Sequence, residues 1–274
     1  MYIILLMLTV AVSSISFLAL KKRILYFLKK KNLTKQNYTG NQVLGSGGLL
    51  ILIPCILAIL PCFLISPSSL LPLFITMMLA LAFCGMLDDL LGDSSSKGLI
   101  DHIGRLLDGS FSSGILKALT GGLIGFLLAW SEYHGWVYLI LDAFVFALSV
   151  NTINLLDLKP GRAIKGFAAT LLFIAIFAGF AQIHFILPVA TVLVFYTKGE
   201  MEEIYMLGDT GSNLLGGILG FYGVLVLTIT AKGILLAMLF FIHLFAEFCS
   251  LSTLIEGVPL LKKIDMLGRK QGGR

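Results

Sequence analysis

Polar and apolar positions follow each other along this chain in long blocks, without a short alternating period. A helix that spans a membrane needs about 20 mostly apolar residues. Nine stretches reach or approach this length, at roughly residues 2–20, 48–66, 69–87, 117–131, 136–155, 166–180, 182–197, 212–229 and 233–253. The pattern predicts an all-α, polytopic integral membrane protein with about nine transmembrane helices.

The stretch at 2–20 has no basic residue before it and no clear cleavage site after it, so it is predicted to be a span and not a signal peptide. Longer hydrophilic segments separate some of the spans, at 21–47, 88–116, 156–165 and 198–211, and a tail follows at 254–274. The chain shows no internal repeat or low-complexity linker, so residues 1–274 are predicted to form a single domain.

The basic residues predict how the chain is oriented. If the second hydrophilic segment is counted to residue 117, the four segments and the tail hold 19 of the 20 Lys and Arg residues. With nine spans they all lie on one face, which the positive-inside rule makes cytoplasmic. The N-terminus is then outside and the C-terminus cytoplasmic. The net charge of +5 indicates topology and attraction to anionic lipids, and no nucleic-acid partner is expected.

Composition supports the membrane interpretation. Hydrophobic residues make up 58% of the chain and charged residues 13%, with a mean hydropathy of +0.97. Soluble domains are about 45–50% apolar and about 25% charged. The four cysteines occur singly in apolar segments, so they predict small buried side chains and neither a metal site nor a disulfide framework.

Acidic residues occur where predicted spans end. Asp88 and Asp89 close the third span, Asn154 and Asp157 close the fifth, and Asp209 opens the eighth. All of these ends lie on the predicted cytoplasmic face. Oxygen-rich groups from several helices suit Mg²⁺ or Mn²⁺, which bind carboxylates together with substrate phosphates.

Two of these motifs have simpler explanations as well. Asn151, Asn154 and, less closely, Asp157 form a stripe on one helix, which predicts either a wet, ligand-binding cavity or a solvated helix end. The segment "LGDTGSN" (207–213) precedes an apolar helix. Its acid or hydroxyl groups would cap that helix, or its amides at Thr210, Gly211 and Ser212 would receive a phosphate.

Residues 100–107 have apolar positions on one side, which predicts an interfacial helix. Lys97, His102 and Arg105 form its cationic side, which is either solvated or a diphosphate-binding face.

Taken together, these motifs resemble those of the polyprenyl-phosphate N-acetylhexosamine-1-phosphate transferases, which begin lipid-linked peptidoglycan, teichoic acid and O-antigen synthesis. The matching strings are "DDLLGD" (88–93), "NTINLLDLKPGRA" (151–163), "LGDTGSNLLGG" (207–217) and, for the loop that usually ends Pro-x-x-Gly-Gly, "YTGNQVLGSGG" (38–48). The likeness covers roughly residues 38–220.

The resemblance implies that a UDP-sugar gives its sugar-1-phosphate to a polyprenyl phosphate such as undecaprenyl phosphate, with Mg²⁺ as cofactor. Asp209 and Asn154 would be metal ligands. Asp88 and Asp89 would orient or deprotonate the lipid phosphate, and Asp157 would lie in the catalytic or nucleotide pocket. The active site would face the cytoplasm from the cytoplasmic membrane, and a homodimer is expected by analogy.

The middle motif departs from the family. Pro160 stands where the family has its second aspartate, and the cations Lys159, Arg162 and Lys165 lie close by. These cations predict a pocket that is more receptive to a diphosphate, with Lys159 and Arg162 binding substrate. The usual loop proline is Leu44 here, and the late histidine cluster of many members is missing. The alternative is a catalytically degenerate relative that binds polyprenyl phosphate or nucleotide and acts as a regulator.

Overall fold

The computed structural model describes residues 2–65, 68–91 and 113–269. Its long helices are α1 (Tyr2–Lys30), α2 (Leu49–Ile65), α3 (Leu70–Leu91), α4 (Ser113–Ser131), α5 (Trp136–Leu156), α6 (Arg162–Ala178), α7 (Leu187–Met201), α8 (Gly208–Val226) and α9 (Ile229–Phe248). Two short helices follow, α10 (Leu251–Gly257) and α11 (Pro259–Met266). A hairpin of β1 (Thr34–Gln36) and β2 (Gln42–Leu44) precedes α2. The all-α class is therefore confirmed, with this one small hairpin added.

Within the described ranges, four helices are long and apolar enough to cross a membrane: α1, α3, α5 and α9. Such helices are typical of an integral membrane protein. With 29 residues, α1 is about 44 Å long at 1.5 Å per residue and exceeds the roughly 30 Å apolar core of a bilayer. One end of α1 therefore extends beyond that core.

Helix α8 lies at the centre of the bundle. It packs against α3, α5, α6 and α2, and its residues are buried on every side. A helix that is buried all round must meet its neighbours closely, and glycine permits this. A Cβ at Gly216 would lie 2.5 Å from the Cα of Val150 on α5. A Cβ at Gly85 on α3 would lie 2.2 Å from the Asp209 carbonyl oxygen. The glycines thus set the spacing between α8 and its partners.

The remaining helices surround this centre. Helix α1 packs on α2 and α7, α4 packs on α3 and α5, and α9 packs on α5. Between α5 and α9, Lys232 Nζ lies 2.7 Å from Asp142 Oδ1, and both side chains are buried. Asp142 shows no obvious partner in the sequence, whereas the packing of these two helices gives it one.

Several helix boundaries differ from the sequence prediction. Helix α1 continues to Lys30, about ten residues past the predicted end, because Ile24 and Leu28 keep its buried side apolar. Helix α8 begins at Gly208 and not at 212. The last predicted span, 233–253, ends at Phe248, and the chain turns into α10 and α11. The interfacial helix expected at 100–107 lies outside the described residues.

Candidate functional site

The Asp89 carboxylate joins three parts of the chain at one end of the bundle. Its Oδ1 accepts hydrogen bonds from the Asp209 amide (3.0 Å) and from Lys35 Nζ (3.3 Å). Its Oδ2 accepts from the Thr210 amide (3.1 Å), the Thr210 hydroxyl (2.8 Å) and the Ser46 hydroxyl (3.0 Å). Helix α3, the segment 38–48 that carries Ser46 (the glycine loop) and the start of α8 thus meet at one carboxylate.

This arrangement changes the interpretation of "LGDTGSN". The N-cap position of α8 is Leu207, which supplies no side-chain cap. Instead, Asp89 from α3 satisfies the first amides, and its negative charge lies at the positive end of the helix. The Thr210 amide, predicted to receive a substrate phosphate, therefore already binds a carboxylate.

The glycine loop packs directly on the segment that leads into α8. The Met206 amide donates to the Leu44 carbonyl (2.8 Å), and the Gly47 amide donates to the Met206 carbonyl (2.8 Å). A Cβ at Gly48 would lie 2.3 Å from the Gly211 nitrogen, so any larger residue at this position would clash with the backbone of α8. Gly211, predicted as substrate-binding, contributes here to close packing.

The middle motif reaches the same region through Asn154. Ser212 Oγ on α8 donates to Asn154 Oδ1 on α5 at 2.7 Å. Asn151, one helical turn earlier, is exposed. The predicted stripe therefore has one member turned to α8 and one turned to the outside of the bundle.

Asp157 follows α5 and lies beside Glu200. Glu200 is near the end of α7, beyond the predicted span 182–197. Glu200 is 2% exposed, and its Oε1 accepts the Gly161 amide at 2.9 Å. Burial first, and then the charges of Glu200, Asp209 and Asp89, raise the pKa of Asp157 well above the usual value. Burial likewise raises the pKa of Glu200. The site is therefore rich in crowded negative charge.

A narrow cleft opens beside this acid pair. Its volume is about 10 Å³, which is room for about one water molecule. The lining comes from the hairpin, the loop after α5 and the approach to α8: Asn37, Tyr38, Asp157, Leu158, Lys159, Pro160, Glu200, Glu203, Tyr205, Met206 and Leu207.

The cations of the middle motif have internal partners. Arg162 is 4% exposed and donates to both oxygens of Asp265, from Nε at 2.9 Å and from Nη2 at 3.0 Å. Lys159 pairs with Glu256. The substrate-binding role predicted for Arg162 and Lys159 competes with these ion pairs. The sequence alone did not indicate the pairs, because the partners lie about 100 residues away.

Asp265 binds a second cation, Arg269. Arg269 Nη2 donates to Asp265 Oδ1 (2.5 Å), and Arg269 Nε donates to the Pro160 carbonyl (2.9 Å). Burial of Asp265 opposes ionisation, but Arg162 and Arg269 prevail and lower the pKa of this carboxyl. The C-terminal residues thus fix the loop that carries Pro160.

Three residues of the site escaped sequence reasoning. Lys35 is a cation beside the acids: its partial burial favours the neutral amine, yet the Asp89 and Asp209 charges raise its pKa overall. Glu200 and Asp265 lie outside the matching motifs. One available signal was that residues 1–87 contain no acid, so any carboxylate partner of Lys35 had to come from a later residue. Lys97 lies outside the described residues.

No family model matches the chain. Within the described ranges, no group of three or more His, Cys, Asp and Glu side chains is placed to hold a metal ion. Mg²⁺ requires less than this, because it keeps waters and uses one or two carboxylates together with substrate phosphates. The crowded carboxylates that raise the Asp157 pKa form a hard-oxygen, negatively charged donor set that fits Mg²⁺.

Proposed function

We propose that the protein is a Mg²⁺-dependent phosphoglycosyltransferase. It transfers a sugar-1-phosphate from a UDP-sugar to a polyprenyl phosphate, releases UMP and begins a lipid-linked cell-envelope glycan. The proposal includes nine spans, an external N-terminus and an active site at the cytoplasmic face. The polar ends of separate helices would then meet at the depth where lipid phosphates lie.

The observation that carries this proposal is the convergence at Asp89. The first motif binds the third through the Asp209 and Thr210 amides, and the second binds the third through the Asn154–Ser212 hydrogen bond. Motifs about 60 residues apart in sequence thereby form one acidic site. A set of unrelated helix caps would not need to share one region of the bundle.

The residues take the following roles in this proposal. Asp209 and Asn154 would hold the metal, which would supply positive charge to neutralise the diphosphate. Asp89 holds the start of α8 in place through its hydrogen bonds, and Asp88 is assigned to orient or deprotonate the lipid phosphate. Lys35 and Asp157 lie at the same acidic site, where Lys35 offers a positive charge to a phosphate.

One specific observation favours the second candidate, a non-catalytic relative that binds polyprenyl phosphate or nucleotide. The cleft beside Asp157 has room for about one water, and Lys159 and Arg162 are bound to acids of the same chain. Catalysis therefore requires the loop at 157–162 to move when a UDP-sugar binds.

The deciding experiment combines purified protein, Mg²⁺, undecaprenyl phosphate and a panel of UDP-sugars, with UMP release as the measurement. We expect UMP with at least one sugar, and loss of that signal after chelation of Mg²⁺. The Asp209→Asn variant should lose product formation, since it removes the charged metal ligand. Full activity of this variant would show that the assignment of Asp209 is wrong.

A control variant is Asp142→Asn, which removes a carboxylate that pairs with Lys232 on α9 and lies outside the proposed site. It should retain the UMP signal if it folds. Absence of UMP with every sugar, together with retained binding of UDP or lipid phosphate, would support the non-catalytic candidate.

A further inference from the structure

The C-terminal strap, defined as residues 250–269, contains α10 and α11 and has two different sides. Its polar side is held against the bundle by the Arg162–Asp265 pair and by the hydrogen bond from Arg162 to Ser252 Oγ (2.8 Å). Asp265 is 6% exposed. This side of α11 therefore faces the protein.

The opposite side of α11 is apolar and uncovered. Leu260, Leu261 and Ile264 are 66%, 38% and 48% exposed. At 3.6 residues per turn these three positions share one side of the helix, and Lys262 lies on the other side with Asp265. The helix is amphipathic, and the contacts of Asp265 decide which side is left outward.

We propose that this apolar side of α11 lies in the interface of the lipid bilayer, with Lys263, at the edge of that side, beside the phosphates of anionic lipids. The strap directly follows α9, a candidate membrane-spanning helix, and this places it near the bilayer surface. Helix α9 is long and apolar enough to cross a membrane, and its last residue, Phe248, is 78% exposed. Two residues join α9 to α10, so the Cα atoms of Phe248 and Leu251 are at most about 11 Å apart. The strap therefore begins at the membrane surface.

Charge favours the same partner. Lys262 and Lys263 are exposed. In the described contacts, the strap's acids Glu256 and Asp265 are paired with other cations: Lys159, Arg162 and Arg269. A lysine that flanks an exposed apolar stripe, as Lys263 does beside Leu260, is typical of helices that lie on anionic membranes.

A second copy of the chain fits this side of the helix less well. Helix α11 has eight residues, so it is about 12 Å long. A stable protein interface buries about 800 Å² on each partner, which is far more than one side of such a helix supplies. A bilayer needs no matching partner surface. The inference depends on the membrane-spanning helices and not on the catalytic proposal.

The test uses tryptophan fluorescence of the full chain in vesicles of phosphatidylcholine and phosphatidylglycerol. Trp130 and Trp136 are first replaced by phenylalanine, and then Leu260→Trp, Leu261→Trp and Ile264→Trp are made singly. Lys262→Trp is the matched control on the opposite side of the same helix. Phosphatidylcholine that is brominated near the head-group end of its acyl chains serves as the quencher.

We expect the three variants on the apolar side to lose about half of their fluorescence in brominated vesicles, because interfacial helices bury this side about 5–10 Å deep. Lys262→Trp should lose much less. If Leu260→Trp does not fold, Ile264→Trp provides the same test. Equal quenching at all four positions, or none, would overturn the proposal. If the fluorescence of the three apolar-side variants is not quenched by brominated lipid but changes when the protein is diluted, this surface instead contacts a second copy of the chain.

Discussion

Asp89 accepts hydrogen bonds from two amides, two hydroxyl groups and one ammonium group. A carboxylate with two oxygens has about four acceptor sites, so this group is saturated. Such a residue holds its neighbours in place. At the scale of single residues, the "DD" pair therefore divides its work: Asp89 organises the start of α8, and Asp88 is the member we assign to the substrate.

Asp157 gives a residue-scale prediction with a definite sign. Because its pKa is raised in the folded protein, the folded state holds a proton that the unfolded state releases near pH 4. Stability from this group therefore falls as the pH rises from about 4 through the raised pKa. Asp157→Asn should raise the Tm at neutral pH and reduce its decline with rising pH, while it abolishes UMP release.

The measurement is the thermal unfolding of detergent-purified protein at a series of pH values. Asp157→Glu is the control, since it keeps the charge and should keep the pH dependence. A lower Tm for Asp157→Asn at pH 8 than for the parent would mean that the buried Asp157 carboxylate does not destabilise the folded state.

At the scale of elements, the packing of α8 depends on where glycines occur. Gly216 faces the α5 backbone, whereas Gly233, in α9, has open space around the position of a Cβ. Both are helical glycines, so alanine should improve the intrinsic helix propensity at each by about 0.5–1 kcal/mol. Alanine at Gly233 therefore reports the gain in helix propensity alone, whereas alanine at Gly216 reports that gain together with the clash against α5.

Gly216→Ala should destabilise the protein by about 1–3 kcal/mol, because a Cβ at 2.5 Å from Val150 Cα forces α5 and α8 apart. Gly233→Ala should be neutral or stabilising. Equilibrium unfolding in a mixed micelle, followed by circular dichroism, measures both. An unchanged free energy of unfolding for Gly216→Ala would contradict the close approach of α5 and α8.

At the scale of the whole molecule, the C-terminal strap connects the end of the chain to the loop after α5. Asp265→Ala would leave Arg162, which is 4% exposed, without its carboxylate. Removal of one partner from a buried ion pair typically costs about 3–5 kcal/mol. We expect a loss of this size in the free energy of unfolding at neutral pH. In the parent, this contribution is lost as the pH falls below about 4, since the Asp265 pKa is lowered.

Glu256→Ala is the matched control from the same strap. Its carboxylate pairs with Lys159 at the surface, where ion pairs contribute little. Calorimetric or chemical unfolding of both variants distinguishes the two cases. Similar, small effects of the two substitutions would show that Asp265 does not hold the loop.

The sequence by itself determined the helices. Long apolar blocks have one stable solution in a lipid solvent, since an unpaired backbone group there costs several kcal/mol. Within the described residues, the positions of the nine long helices, α1–α9, followed from hydropathy to within about five residues at most boundaries. The motifs also indicated that Asp88, Asp89, Asn154 and Asp209 belong to one region, because all lie at helix ends on one predicted face.

Only the tertiary structure decided which groups those residues meet. The cap of α8 comes from Asp89, about 120 residues earlier in the chain, and Arg162 binds Asp265, about 100 residues later. Pairing between side chains of distant segments leaves no periodicity in the sequence. Any acid can form an ion pair with any nearby cation, so residue type alone does not identify the partner. Local pattern thus specified the elements, and the packing of α8 on α3 and α5 decided which polar groups meet and which helix face the strap leaves exposed.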